Sequence, residues 1–555
     1  MKKVYFLFWG VFCFLCLCLG SCQKEQRTFR ILATAEPCGS KDNEKTYMDN
    51  NNQICWVVGD KVVVGGHGLN GSREIFDVIP TRNNPTNAEL VCENTDYVMP
   101  EWGYAYYPAD ILSPDAVGLI TLPSVQNSVD GRLTGFPMVA ESTNMMAEGL
   151  KFRNICGAVK IHLQQSGVRV KKITLSANTN INGNFVCSAD VDPVRLSEYT
   201  TSHEASEYST TLVCETAQNI SSGHDFFIYL PAGTYNTMQV CVVDANGRSC
   251  GKTGHNVVIE RSKYSTIRVT NMEFEPQNQE GALPGLFSVS ATRKVRFSKG
   301  NLQYSVVGTH EVATGGYAQG TWQFAANQYD LISEQDNANV TNGYIDRFCW
   351  ATSGYHNPAD VYNTMYLPNS TGTNHENSNM NSYGYGPSEG MGDLSLVGTS
   401  KYYDWGVYNA ISNGGNRPEM WRVLTREEWN YLINSRFLAR EKIGVATVNG
   451  VRGRVLLPDA WSLPDGCSFT NVRRSPGYQD YSANIYTAEQ WQLMEDAGAV
   501  FFPLNEGYPF KAYWTPTRYN SQSAYKFYID SDNILVSLTS EHYIQNWVRL
   551  CCDVD

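Results

Sequence analysis

The chain has 555 residues, with 43 Lys and Arg against 55 Asp and Glu, a net charge of −12. That length suggests three or four domains, and a negative balance without a basic stripe argues against nucleic acid as a partner. Only 18% of residues are charged, while Tyr numbers 33 and Gly 46, a composition that favours strands and turns over long helices.

The first element is an export signal. Lys2 and Lys3 precede an apolar run from Val4 to Leu19, and Leu19-Gly20-Ser21-Cys22 closes it. A short basic start, an apolar core and small residues at the end are the pattern of a secretory signal. The run is shorter than the ~20 residues a spanning helix needs. A Cys directly behind the small residues resembles the lipobox of bacterial lipoproteins. The resemblance implies a signal peptide over 1–21, lipid attachment at Cys22, a tether over 22–29 and a place on the outer membrane at the cell surface. Each buried CH₂ of such a chain adds about 0.8 kcal/mol of membrane affinity. An ordinary signal peptide with an incidental cysteine is the plainer alternative.

From Arg30 to about Phe274 short alternating runs are separated by turn residues. Examples are Trp56 to Val64, Lys160 to Leu163, Val170 to Leu175, and Phe226 to Leu230 ending at Pro231. Met238 to Asp244 runs into Asn246-Gly247, the strongest short hairpin signal. Several strands at close spacing predict β-sandwiches. The order of the pieces resembles the fimbrillins, pilus subunits of anaerobic Gram-negative bacteria, and their Mfa-like relatives. The strings that carry it are CWVVGDKVVV at 55–64, GYAYYPADIL at 103–112, FPMVAES at 136–142, LKFRNICGAVKIHL at 150–163, ITLSANTNINGNF at 173–185 and FFIYLPAGTY at 226–235.

This resemblance implies two transthyretin-like β-sandwich domains, 30–148 and 149–274. It implies export as a lipoprotein and trimming by an arginine-specific protease, for which Arg27 and Arg30 are the candidate sites. It also implies assembly with other pilus subunits by donor-strand exchange, a form of strand addition in which main-chain hydrogen bonds supply affinity. Plain solvated charge is the alternative role for both arginines.

Residues 275–283 are polar and carry Pro276, which suits a linker. The composition then shifts towards Trp, Tyr and Asn. Phe287-Ser288 and Lys294 to Phe297 suggest a hairpin. Thr425-Arg426-Glu427-Glu428 and Thr487-Ala488-Glu489-Gln490 are capping boxes that open two helices, and Gly498 is a natural stop for the second. The domain over 284–555 resembles the C-type-lectin-like fold, specifically surface domains of Gram-negative gut bacteria related to formylglycine-generating-enzyme-like modules. Its strings include VRFSKGNLQY at 295–304, WRVLTREEWNYL at 421–432, YTAEQWQLMEDAGAVFFP at 486–503 and AYWTPT at 512–517. The expected architecture is therefore mainly β and multidomain: two β-sandwiches, then an α+β C-type-lectin-like domain.

The chemistry points away from catalysis. An enzyme of the formylglycine-generating type needs a reactive cysteine pair a few residues apart, whereas Cys551 and Cys552 are adjacent and Cys467 is remote. Adjacent residues on a strand face opposite ways, so that pair is expected in the core rather than at a metal. The nine His are scattered, and the calcium strings of sugar lectins are missing, so no catalytic, cofactor or metal site is assigned. The segment from His356 to Asp393 has the composition of a long surface loop. Tyr362, Tyr366, Tyr383 and Tyr385 there offer flat contact area for a glycan or host protein. The expected function is a fimbrial tip or minor subunit with a C-terminal adhesive head. The alternative is a surface lipoprotein that binds glycan or protein without polymerising.

Overall fold

The computed structural model of the protein describes residues 29–36, 39–40, 56–66, 73–333, 343–355, 398–471, 480–504 and 512–554, apart from short internal gaps. Strands make up 51% of it and helices 9%. This is the mainly β, multidomain architecture that the composition predicts. Cys22, Arg27, the four loop tyrosines, the signal segment and the first residues, 275–278, of the 275–283 linker lie outside the described residues.

The first unit is a closed sheet of seven strands. In order around it are Phe29–Ala35, Leu150–Asn154, Met138–Ser142, Gly103–Tyr107, Lys61–Gly66, Arg73–Thr81 and Asn84–Cys92, which returns to the first. Alternation sorts the side chains: in Phe29–Ala35, Ile31 and Ala33 point inward at 2% and 1% exposure, while Leu32 points out at 70%. Trp56 fills one end, edge-on to Tyr107 and Phe152, with its indole N–H donated to the Thr86 carbonyl at 3.0 Å.

The chain leaves this sheet at Ile155-Cys156 rather than at 148, because Leu150–Asn154 still pairs with Phe29–Ala35 and Met138–Ser142. The second unit also takes strands from before 148. Val125–Val129 pairs in parallel with Ser209–Asn219, while in the other direction Gly183–Ser188 pairs with Leu119–Leu122 and packs Phe185 and Cys187 into the core of the first unit. The two units are thus interleaved rather than consecutive. Gln126, 3% exposed, ties Val125–Val129 to the strand His224–Leu230 of the same unit by exchanging hydrogen bonds with the backbone of Tyr229 at 2.8 and 3.1 Å.

The second unit is built mainly of a six-stranded sheet and a four-stranded sheet around one apolar core. In the larger sheet the hairpin Gly233–Asp244 and Ser249–Ile259 turns at Asn246-Gly247, where Gly247 has φ +80°. A β-bulge interrupts Arg169–Ala177 between Val170 and Lys172.

The C-terminal unit surrounds three apolar cores. Its buried volume is dominated by tryptophan: Trp322, Trp350, Trp405, Trp421, Trp429, Trp491, Trp514 and Trp547 are all among its fully buried side chains. Trp429, on the helix Arg426–Asn434, stacks on Phe527 with centroids 3.8 Å apart and planes 7° from parallel. Both capping boxes form, at Thr425/Glu428 and at Thr487/Gln490. The strand Leu550–Val554 lies between Lys294–Phe297 and Arg422–Val423. Cys551 enters one core and Cys552 another, as period-two geometry requires.

Candidate functional site

Two places in the fold bear on function: the seam of the first unit and the junction between the second and C-terminal units. The seam is the strand Phe29–Ala35, called here the closing strand. It alone joins Asn84–Cys92, antiparallel over six residue pairs from Phe29↔Cys92 to Thr34↔Asn87, to Leu150–Asn154, parallel from Ala33↔Leu150 to Ala35↔Phe152. Beyond its end Glu36 takes two hydrogen bonds from Arg261 at 2.7 and 3.1 Å and one from the Asn154 amide at 2.8 Å. Arg261 also reaches the Asn154 carbonyl at 2.9 Å, so this cluster locks the strand onto the second unit.

Arg30 lies within the closing strand. Its side chain is 56% exposed and ion-paired with Glu89 on the neighbouring strand. A cut after Arg27 or Arg30 falls before Ile31, so it leaves the inward-pointing Ile31 and Ala33 attached to the chain that follows. Between Arg30 and Arg73 there is no arginine; the basic residues before Trp56 are Lys41 and Lys45. Trimming after either arginine would therefore leave residues 31–35 in place as a strand of the closed sheet.

The junction is polar and largely buried. Lys172 donates to Asp465 at 2.6 Å and to the Leu463 carbonyl at 3.4 Å, and Thr174 donates to Ser462 at 3.1 Å. Gly251 sits where an added Cβ would come within 2.9 Å of the Ala460 methyl, so the sheet approaches the 459–465 loop at backbone distance. Deeper in, Asp459 accepts from Arg436 at 3.2 Å and from the Ser288 hydroxyl at 2.6 Å. Lys442 donates to the Asp459 carbonyl at 2.5 Å and to Gln239 at 3.5 Å. Burial drives the Lys442 ammonium down to about 7; the Asp459 charge opposes that and Arg436 adds to it. Asp459 itself is held below the usual carboxylate range, the charges of Arg436 and Lys442 outweighing its burial.

Beside these residues lies a cavity of about 1050 Å³. Lys171, Lys172, Arg248 and Lys252 line it from the second unit, and Lys294, Arg296, Arg436 and Lys442 from the C-terminal unit. The carboxylates on its wall are Asp244, Asp459 and Asp496. Asp244 is already committed to Arg248, at 2.6 Å, and to the turn amides of Asn246 and Arg248, both at 2.9 Å. The bulge before Lys172 brings two consecutive lysines to the same cavity, which a regular strand would place on opposite faces. No run of sequence announces this site. Its cations come from residues 171 to 442, and the Lys171-Lys172 pair is the one local hint.

Among the described residues no trio of His, Cys, Asp or Glu is placed to hold a metal ion. No helix among them is long and apolar enough to cross a membrane.

No family model matches the chain, and no curated protein matches it. Solved structures with partial likeness come from Bacteroides and Parabacteroides species. A fimbrial assembly protein from Parabacteroides distasonis is 10% identical and covers 49% of this chain and 96% of its own, with a TM-score of 0.25. A fimbrial protein from Bacteroides ovatus is 12% identical and covers 94% of this chain and 98% of its own, with a TM-score of 0.22. A further Bacteroides ovatus structure, assigned to cell adhesion, is 12% identical and covers 44% and 95%, with a TM-score of 0.28.

Proposed function

We propose that the chain is a cell-surface fimbrial subunit at an end of its filament, with the C-terminal unit as a binding head rather than an enzyme. The closing strand carries this reading. Withdrawing it opens the first unit between Asn84–Cys92 and Leu150–Asn154 and bares the inward sites of Ile31 and Ala33. Such a groove suits strand addition from a second subunit, whose backbone would replace the lost pairing. Release of the strand then needs a cut beyond Ala35, where Lys41 and Lys45 are the next basic residues, rather than after Arg27 or Arg30. The end position is supported by Leu550–Val554, which is paired on both sides with Leu550, Cys551 and Cys552 buried, so that strand is held within its own unit. The lectin-like character of the head, its glycan or host-protein ligand, contacts through Tyr362, Tyr366, Tyr383 and Tyr385, and the anchor at Cys22 belong to the same proposal.

A second reading is a surface lipoprotein that never polymerises. It is favoured by the arginine positions, since trimming at either one leaves the first unit closed. N-terminal sequencing of protein recovered from cells, paired with electron microscopy using antibody to residues 284–555, separates the two. A terminus beyond residue 35 with label at filament ends supports the fimbrial reading. An intact closing strand on all molecules, with label on the cell surface and none on filaments, sinks it.

A further inference from the structure

We infer that the cavity between the second and C-terminal units binds a short acidic oligosaccharide through its sulfate or carboxylate groups. The first reason is charge. Eight Lys and Arg side chains and three carboxylates line it; with Lys172 paired to Asp465 and Arg248 to Asp244, six cations remain against Asp459 and Asp496, on a chain whose net charge is −12. A positive cleft with low-dielectric walls concentrates field lines and draws in anions.

The second reason is the imbalance at its buried edge. Arg436 and Lys442, 4% and 6% exposed, both face one carboxylate, Asp459. Buried cations are tolerated when paired, and a surplus one is costly. An anion entering from the cavity supplies the missing charge. At the rim Lys252 and Lys294 are exposed, and neither ammonium has a hydrogen bond or ion pair among the described residues.

Size and lining narrow the class. Small-molecule pockets run to about 300–1,000 Å³, so a cavity of about 1050 Å³ takes more than a lone inorganic ion. Gln239, Thr253 and Ser249 give the wall amide and hydroxyl groups suited to sugar hydroxyls. A long polyanion such as nucleic acid is disfavoured, because the chain outside the cavity is net negative. The inference holds whether or not the protein forms filaments.

Calorimetry on the full-length chain tests it, with a heparin-derived tetrasaccharide, a tetragalacturonate, the neutral sugar N-acetylchitotetraose and inorganic sulfate as probes. The sulfated or the carboxylated sugar should bind at least about tenfold more tightly than the neutral one and weaken by a similar factor between about 50 and 500 mM salt. Lys252→Glu with Lys294→Glu should weaken binding at least about tenfold without moving the thermal midpoint, since both side chains are exposed. The inference falls if the neutral sugar binds as well as the acidic ones, if the double variant binds like the parent, or if inorganic sulfate at equal concentration binds as tightly as the sugars.

Discussion

Asp404 is wholly buried and accepts hydrogen bonds from the amides of Gly406 at 3.0 Å and Val423 at 2.9 Å. Burial nonetheless raises its carboxyl to about 6, outweighing those amides and the nearby Arg422 charge. A raised acid binds its proton more tightly in the folded chain than in the unfolded one. Its contribution to stability is therefore fully present below the ordinary carboxyl value and is lost as pH rises through about 6. Asp404→Asn removes that titration. The stability difference between wild type and variant should shrink by about 1 kcal/mol from roughly pH 5 to pH 7 in urea titrations. A difference constant with pH would mean that the two amides and Arg422 keep the carboxylate ionised.

At the scale of elements, the two helix starts separate local from tertiary stabilisation. Removing an N-cap hydroxyl costs about 1 kcal/mol. In the first helix the capping Glu428 is also gripped by Arg422 at 2.8 and 2.9 Å and by Arg293 at 3.0 Å, and Arg422 continues to Asp553 on the strand Leu550–Val554. Thr425→Ala should thus cost more than Thr487→Ala, roughly 2 against 1 kcal/mol by denaturant midpoints. Equal costs would show that the Arg422 network keeps Glu428 in place without the cap. The closing strand offers a sharper contrast between adjacent residues. Ile31→Ala should cost about 2–4 kcal/mol and Leu32→Ala less than about 0.5 kcal/mol, because Ile31 is 2% exposed and Leu32 is 70% exposed. Comparable losses at both positions would remove the assignment of Ile31 to the interior.

Those same elements show what a sequence can and cannot carry. Thr425-x-x-Glu428 and Thr487-x-x-Gln490 are legible because a capping box is closed within four residues. Asn246-Gly247 is legible because its turn is local, and the split between Cys551 and Cys552 follows from strand period alone. Closure of the first unit depends on Ala33 meeting Leu150 in parallel register, and alternation looks the same in an open layer and in a closed one. The passage of residues 125–133 into the second unit is hidden for the same reason: pairing partners lie far along the chain. The basic cavity is less legible still. Its cations enter from separate strands, helices and loops, and in a chain of net negative charge each one alone looks like a solvated side chain.

For the whole molecule, the junction couples the C-terminal unit to the rest through a group that titrates near neutrality. Lys442 is lowered to about 7 by burial, with Asp459, Arg436, Cys241 and Lys294 as the charged or titratable groups around it. Cys241 is pushed up to about 12 by burial and Asp459 is held low, so Lys442 is the member of that cluster that changes charge around pH 7. The unfolded ammonium titrates above 10, so the contribution to stability is present at high pH and is lost as pH falls through about 7. Nine of the twelve tryptophans lie in 284–555, so tryptophan fluorescence follows mainly the unfolding of that unit. Between about pH 8 and pH 6 its stability should fall by on the order of 1 kcal/mol through this group. Lys442→Met, which keeps the volume and removes the charge, should abolish that part of the fall. Replacing a buried cation by an apolar side chain of similar size is often neutral or stabilising, so the variant should remain folded at both pH values. A parallel pH profile in wild type and Lys442→Met would show that the ammonium stays charged throughout, stabilised by Asp459 and Gln239.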